Sequence, residues 1–91
     1  MRFEWDENKR RINLQNHQID FADVWRIFEN ETASYLDNRF DYEETRFYTL
    51  GLLFGRVIAV SHTDAGSVIR IISARKANKN EQAKYYRAIA N

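Results

Sequence analysis

Apolar residues recur along the chain in two rhythms, and the change from one to the other divides it into elements. Phe3-Glu4-Trp5 alternates, which predicts a short opening strand. Asp6 stands where a helix cap is wanted, its carboxylate able to accept from the open amides of a first turn. A helix is therefore expected through about His17, with Lys9, Arg10 and Arg11 along it. Asp20 can cap a second helix, in which Phe21, Val24, Trp25 and Phe28 fall at i, i+3, i+4 and i+7. That aromatic row reads as core packing and not as a platform for stacking bases. From Thr32 the period becomes two, predicting a strand at 32–37, a charged loop at 38–45 and a strand from Arg46 to Phe54. Gly55 turns the chain and Val57 to Thr63 returns. Asp64-Ala65-Gly66-Ser67 is a second turn, leading into a strand from Val68 to Arg75. A last helix opens at Asn78, with Glu81 three residues on in capping-box spacing.

The order is β-α-α-β-β-β-β-α. Helices that bury their stripes on one face of an antiparallel sheet make a two-layer α+β fold, whose other sheet face is expected to stay open to a partner or substrate. With 91 residues, no Pro, three Gly and no repeat, the chain shows no linker, and one domain over residues 1–91 is expected. No run approaches the roughly 20 apolar residues that cross a bilayer. Arg2, Glu4 and Asp6 follow Met1 where a signal peptide would be apolar, so a soluble cytoplasmic protein with no membrane partner is expected. The absence of Cys removes disulfides, thiolate nucleophiles and Cys-ligated zinc, and His17 and His62 are a poor metal set. Neither a metal nor another cofactor is expected.

Charge sharpens this picture. The net charge of +1 hides a split: residues 1–45 carry six Lys/Arg against eleven Asp/Glu, and residues 46–91 carry eight against two. Within 70–87, Arg70, Arg75, Lys76, Lys79, Lys84 and Arg87 face only Glu81, a distribution suited to binding phosphates. Internal pairing of the acidic and basic halves is the alternative.

Chemistry on a bound phosphate takes groups that move protons and cations for the charge gathering on phosphorus. Arginine suits the last role because its planar fork matches two phosphate oxygens and stays charged. Arg75 and Arg70 are the leading candidates. Five apart on a flat strand, they are expected on opposite faces, which favours Arg75; a strand-end salt bridge to Glu81 or Glu43 is its structural alternative. His62 could move a proton near neutral pH, or be hydrogen-bonded within its strand. His17 fits a helix C-terminus, where its charge meets free carbonyls. Lys9, Arg46, Lys76, Lys79 and Lys84 are candidate nucleic-acid contacts, although Arg46 lies beside the acidic run Asp41-Tyr42-Glu43-Glu44 and Lys9 suits a solvated helix face. Tyr85 and Tyr86 diverge by about 100° around a helix, so one is expected exposed. Tyr85 is the candidate for stacking on a base beside Lys84 and Arg87, and packing against a partner protein is equally in keeping with it.

The residues Phe3-Glu4-Trp5-Asp6-Glu7-Asn8-Lys9, Asn13, His17 with Ile19-Asp20-Phe21, Leu50-Gly51, His62-Thr63 and Ile69-Arg70-Ile71-Ile72-Ser73-Ala74-Arg75 resemble the BrnT toxins. The resemblance runs over nearly the whole chain, and its most specific pieces are the opening F-E-W-D-x-x-K and the late R-I-I-S-A-R. It implies a RelE-like fold and a metal-independent endoribonuclease that cuts RNA and inhibits translation. It also implies a BrnA-like antitoxin partner in a hetero-oligomer, with DNA reached only through that antitoxin. It supports Arg75 as catalytic. One position departs: Ala65 stands where the family pattern H-T-x-R-G carries arginine, which implies a toxin disabled there, by engineering or by natural degeneration. Without the resemblance, no catalytic dyad is visible from spacing, and a non-catalytic module binding nucleic acid or protein through the basic half is the rival reading.

Overall fold

The computed structural model describes residues 1–39 and 42–90, so part of the charged loop, including Asp41, lies outside the described residues. Strand β1 (Arg2–Trp5) is followed by helix α1 (Glu7–His17), a 3₁₀ helix (Phe21–Glu29), strands β2 (Ala33–Asp37), β3 (Arg46–Leu53), β4 (Arg56–Ala65) and β5 (Val68–Lys76), and helix α2 (Lys79–Ile89). The order is the expected one, and the expected caps form. Asp6 accepts from the Lys9 amide at 3.1 Å, Asp20 from the Ala22 amide at 2.9 Å, and Asn78 with Glu81 closes a capping box.

The second helix is 3₁₀, not α. Phe21, Val24 and Ile27, spaced by three, are buried, while Trp25 turns out to solvent. Three residues per turn aligns that triplet on one edge, and the core accepts that edge in place of the broader α stripe. Gly51 lets it descend: a Cβ there would lie 2.9 Å from the Ile27 Cβ.

The sheet runs β1-β5-β4-β3-β2 and is mixed, because β1 lies parallel to β5 while the remaining pairs are antiparallel. Nor do the helices share a face. α1 and the 3₁₀ helix cover Ile58, Val60, Ile69, Ile71 and Ala74, whereas Tyr85 of α2 packs with Leu50, Val57 and Ala59 on the other side. The physical reason lies in Val57-Ile58-Ala59-Val60, all buried: a strand apolar on both faces needs cover on both. α2 covers one end of its face and leaves the rest open.

Two features set the site. First, β5 holds one residue more than β4 opposite it: Ser61 pairs with Ser73 but His62 with Ile71, so Ile72 is a bulge. The bulge reverses the alternation, leaving Ile69, Ile71 and Ala74 on the core face and Arg70, Ser73 and Arg75 together on the other. Arg70 and Arg75 therefore share a face, contrary to the flat-strand expectation. Second, β1 covers β5 only from Val68 to Ile71. Beyond it the buried Asn13 side chain takes the free edge, donating to the Ala74 carbonyl at 2.9 Å and to the Ile19 carbonyl at 3.0 Å and accepting from the Ala74 amide at 3.1 Å. No helix among the described residues is long and apolar enough to cross a membrane.

Candidate active site

On the face shared with α2, cross-strand register lines up Tyr35, Tyr48, Ser61 and Ser73 from β2 to β5. Tyr48, Ser61 and Ser73 floor a groove of about 380 Å³, walled by Leu36, Asp37, Asn38 and Arg39 on one side and by Arg75 and Glu81 on the other. Side chains alternate along a strand, so the hydroxyl row has same-face neighbours two residues away in Arg46 and Arg75, and the bulge adds Arg70, three residues before Ser73, on the side of Arg46.

Each arginine of the groove leans on its own carboxylate. Arg75 Nη1 and Nη2 donate to the two Glu81 oxygens at 2.8 and 2.9 Å, and Arg75 also donates to the Lys76 carbonyl. Arg39 engages Asp37 through Nε and Nη2 at 2.9 and 3.0 Å. The Asp37 side chain is 1% exposed, so a bidentate guanidinium is what keeps a carboxylate there ionised. Hydrogen bonds from Arg39 and Arg75 hold Asp37 and Glu81 below the usual carboxylate range, and Glu81 holds Arg75 above the usual guanidinium value. The two pairs are close enough for the Arg39 charge to act on both Arg75 and Glu81.

Behind the groove, Lys84 from α2 donates to the Tyr48 hydroxyl at 2.7 Å, with its ammonium 3.7 Å from the centroid of Tyr35, which stacks on Tyr48. The hydrogen bond to Tyr48 raises the Lys84 pKa and keeps it charged.

The remaining sequence candidates fall elsewhere. Arg46 and Arg70 share Glu44 at 3.0 and 3.3 Å, and Lys9 lies with Trp5 and Arg70 along a second, edge pocket. Lys76 points to the opposite face, beside His17 and Phe54, and Lys79 is exposed in the first turn of α2. Ala65 is exposed at the β4–β5 hairpin, six residues along β4 from the partner of Arg75, roughly 20 Å at strand rise. His62, 3% exposed, faces the other layer between Phe28 and Phe47. Its Nδ1 donates to the Thr63 carbonyl at 3.1 Å and its Nε2 accepts from Thr49 at 2.6 Å, so it does not reach the groove. Tyr85, 1% exposed, packs under α2 with its hydroxyl on the Glu31 carbonyl; the outward ring is Tyr86, 50% exposed. A buried Tyr85 cannot stack on a base.

Sequence reasoning missed Asp37, Arg39 and Tyr48. Arg39 sits in the acidic half, within what reads as a charged loop, and only the Asp37-x-Arg39 spacing at a strand end hints at a local pair. Tyr48 gives no sequence signal, since an aromatic in a strand is ordinary. Among the described residues, no group of three or more His, Asp or Glu is placed to hold a metal.

Two guanidiniums over a polar groove suit a protein that acts on polyanions such as RNA. The chain matches the model of the BrnT family of ribonuclease toxins of type II toxin–antitoxin systems over residues 5–81, and it belongs to that family. The matched span includes Arg39, Tyr48, Arg75 and Glu81. RNA is the target such a toxin implies, and a protein antitoxin its partner. No curated protein matches the chain.

Proposed function

We propose that the protein is a metal-independent endoribonuclease whose groove seats a single-stranded RNA phosphodiester between Arg39 and Arg75. The observation that carries this is the convergence of two carboxylate-braced guanidiniums on a hydroxyl floor. An arginine has five donors. Asp37 takes the Nε and Nη2 edge of Arg39 and Tyr42 also bonds its guanidinium, which still leaves donors of the five over for phosphate. Glu81 is the groove's base: its side chain is more exposed than that of Asp37, at 17% against 1%. Phosphate drawing on Arg75 weakens the bond that depresses Glu81, so substrate binding makes the carboxylate more basic. The 2′-oxygen, losing its proton to Glu81, then attacks phosphorus as the bond to the 5′-oxygen breaks, giving a 2′,3′-cyclic phosphate and, once that oxygen takes a proton, a 5′-hydroxyl.

The cellular reading is arrest of translation by RNA cleavage in the cytoplasm. A BrnA-like antitoxin, binding in a hetero-oligomer, neutralises the toxin and supplies any DNA contact. The opening F-E-W-D-x-x-K and the R-I-I-S-A-R motif support that reading, as does the sheet's arginine-rich face. A second reading, a binding module without catalysis, is favoured by the absence of any described histidine facing the groove and by the internal pairing of both arginines.

Incubating purified protein with single-stranded RNA in a chelator-containing buffer separates the two. The ribonuclease reading expects fragments ending in cyclic phosphate, with cleavage lowered about 10²–10³-fold in Arg39→Ala and in Arg75→Ala. A binding module shifts RNA mobility and leaves it whole. Position 65 neighbours the Arg70 row and not the groove, so Ala65→Arg is expected to tighten RNA binding and leave the saturated rate unchanged. Cleavage seen only in Ala65→Arg would instead make Ala65 the disabling residue.

A further inference from the structure

Phosphodiester cleavage needs a proton for the departing 5′-oxygen, and most of the groove cannot give one. A guanidinium does not release its proton in the working pH range. Asp37 and Glu81 are held ionised by their arginines. His62 lies on the other face of the sheet against Phe28, and among the described residues no cation is bonded to the Ser61 or Ser73 hydroxyl to favour its losing a proton.

Tyr48 differs. Its ring lies in the groove floor, one strand from Ser61 and within the same cavity as Arg39 and Arg75. Its oxygen accepts a hydrogen bond from Lys84 at 2.7 Å, which leaves the phenolic hydrogen free to be donated. The ammonium also rests over the face of Tyr35, 3.7 Å from its centroid. Negative charge appearing on the phenol oxygen would find a cation already in contact, with no reorganisation needed.

Building on the ribonuclease reading, we propose that Tyr48 is the general acid of the reaction and that Lys84 is its positioning residue. As the 2′-oxygen bonds to phosphorus, the bond from phosphorus to the 5′-oxygen breaks and that oxygen takes the Tyr48 proton. The proton of the 2′-hydroxyl goes to Glu81. The phenolate left behind rests against the Lys84 ammonium until water returns a proton to it and Glu81 gives one up, which restores both groups. The products are a 2′,3′-cyclic phosphate and a 5′-hydroxyl.

The test replaces the leaving oxygen. An RNA with a single bridging 5′-sulfur at the scissile bond expels a thiolate, which leaves without protonation. Wild type, Tyr48→Phe and Lys84→Met are each timed on the oxygen and sulfur substrates under single-turnover conditions. Tyr48→Phe is expected to cut the oxygen substrate about 10²–10⁴-fold more slowly and the sulfur substrate at close to the wild-type rate. Lys84→Met is expected to show a smaller loss with the same sulfur rescue. Equal losses on both substrates, or no loss on oxygen, overturn the assignment while the ribonuclease reading stands. Should wild type cleave neither substrate, the three proteins are compared in the Ala65→Arg background, and no cleavage there either removes that reading and this one with it. Should Tyr48→Phe fail to fold, the Lys84→Met ratio decides in the same way.

Discussion

A histidine in a strand next to a basic segment invites a catalytic role, yet at the scale of the residue His62 is a core group. Ser34, Thr49 and His62 form a hydroxyl-to-imidazole chain within the sheet, with Ser34 and Thr49 oxygens 2.8 Å apart and Thr49 2.6 Å from Nε2. Burial holds the imidazole below its ordinary value of 6.5, against the weaker opposing effects of the Thr63 carbonyl and Asp64. The folded protein therefore binds fewer protons than the unfolded chain just below pH 6.5. Stability is complete above that value and declines as pH falls from it towards the folded pKa. Urea midpoints at pH 7.5 and 5.5 are expected to differ in wild type and to draw together in His62→Gln. An undiminished difference in the variant would show that another group binds the proton. The sequence placed His62 in a strand, but it could not show which layer that strand side faced.

At the scale of the element, Asn13 decides more than its place in helix α1 suggests. It replaces the missing β1 partner at Ala74, directly before Arg75, and so ties the first helix to the strand that carries the groove. Asn13→Ala strands the Ala74 amide and carbonyl without water, at an expected cost of about 2–4 kcal/mol in a urea titration. A change below about 0.5 kcal/mol would mean that solvent reaches that edge. Helix caps were legible because Asp6, Asp20 and the Asn78/Glu81 pair act over three residues. The 3₁₀ form of the second helix and the Ile72 bulge were not, because each is chosen by what the segment packs against. Ile71-Ile72 carries no glycine to mark a bulge.

At the scale of the molecule, the split in charge becomes a distribution over faces. Most described ion pairs of the acidic half are local, such as Arg26 with Asp23 and Arg39 with Asp37, and Arg70 with Glu44 spans the two halves over 26 residues. Arg39, Arg46, Arg70 and Arg75 stand on the groove face, while Lys76 stands on the other. Binding of uncleavable 2′-O-methyl RNA should therefore lose about 0.7 log units per contact for each tenfold rise in salt, roughly 2.8 if all four arginines engage. Arg70→Ala is expected to reduce that slope by about 0.7 and Lys76→Ala to leave it unchanged. The reverse pattern would move the RNA to the face covered by α1 and the 3₁₀ helix.

The sequence alone determined the order of elements, their caps, the separation of charge and the family motifs, because these depend on neighbours a few residues apart. Only the tertiary structure decided which face each charged side chain occupies. One extra residue in β5, seen only against β4, inverts every side chain beyond it. The groove itself joins Arg39 to Arg75 and Tyr48 to Lys84 across 36 residues each, a proximity that packing creates and local sequence does not encode.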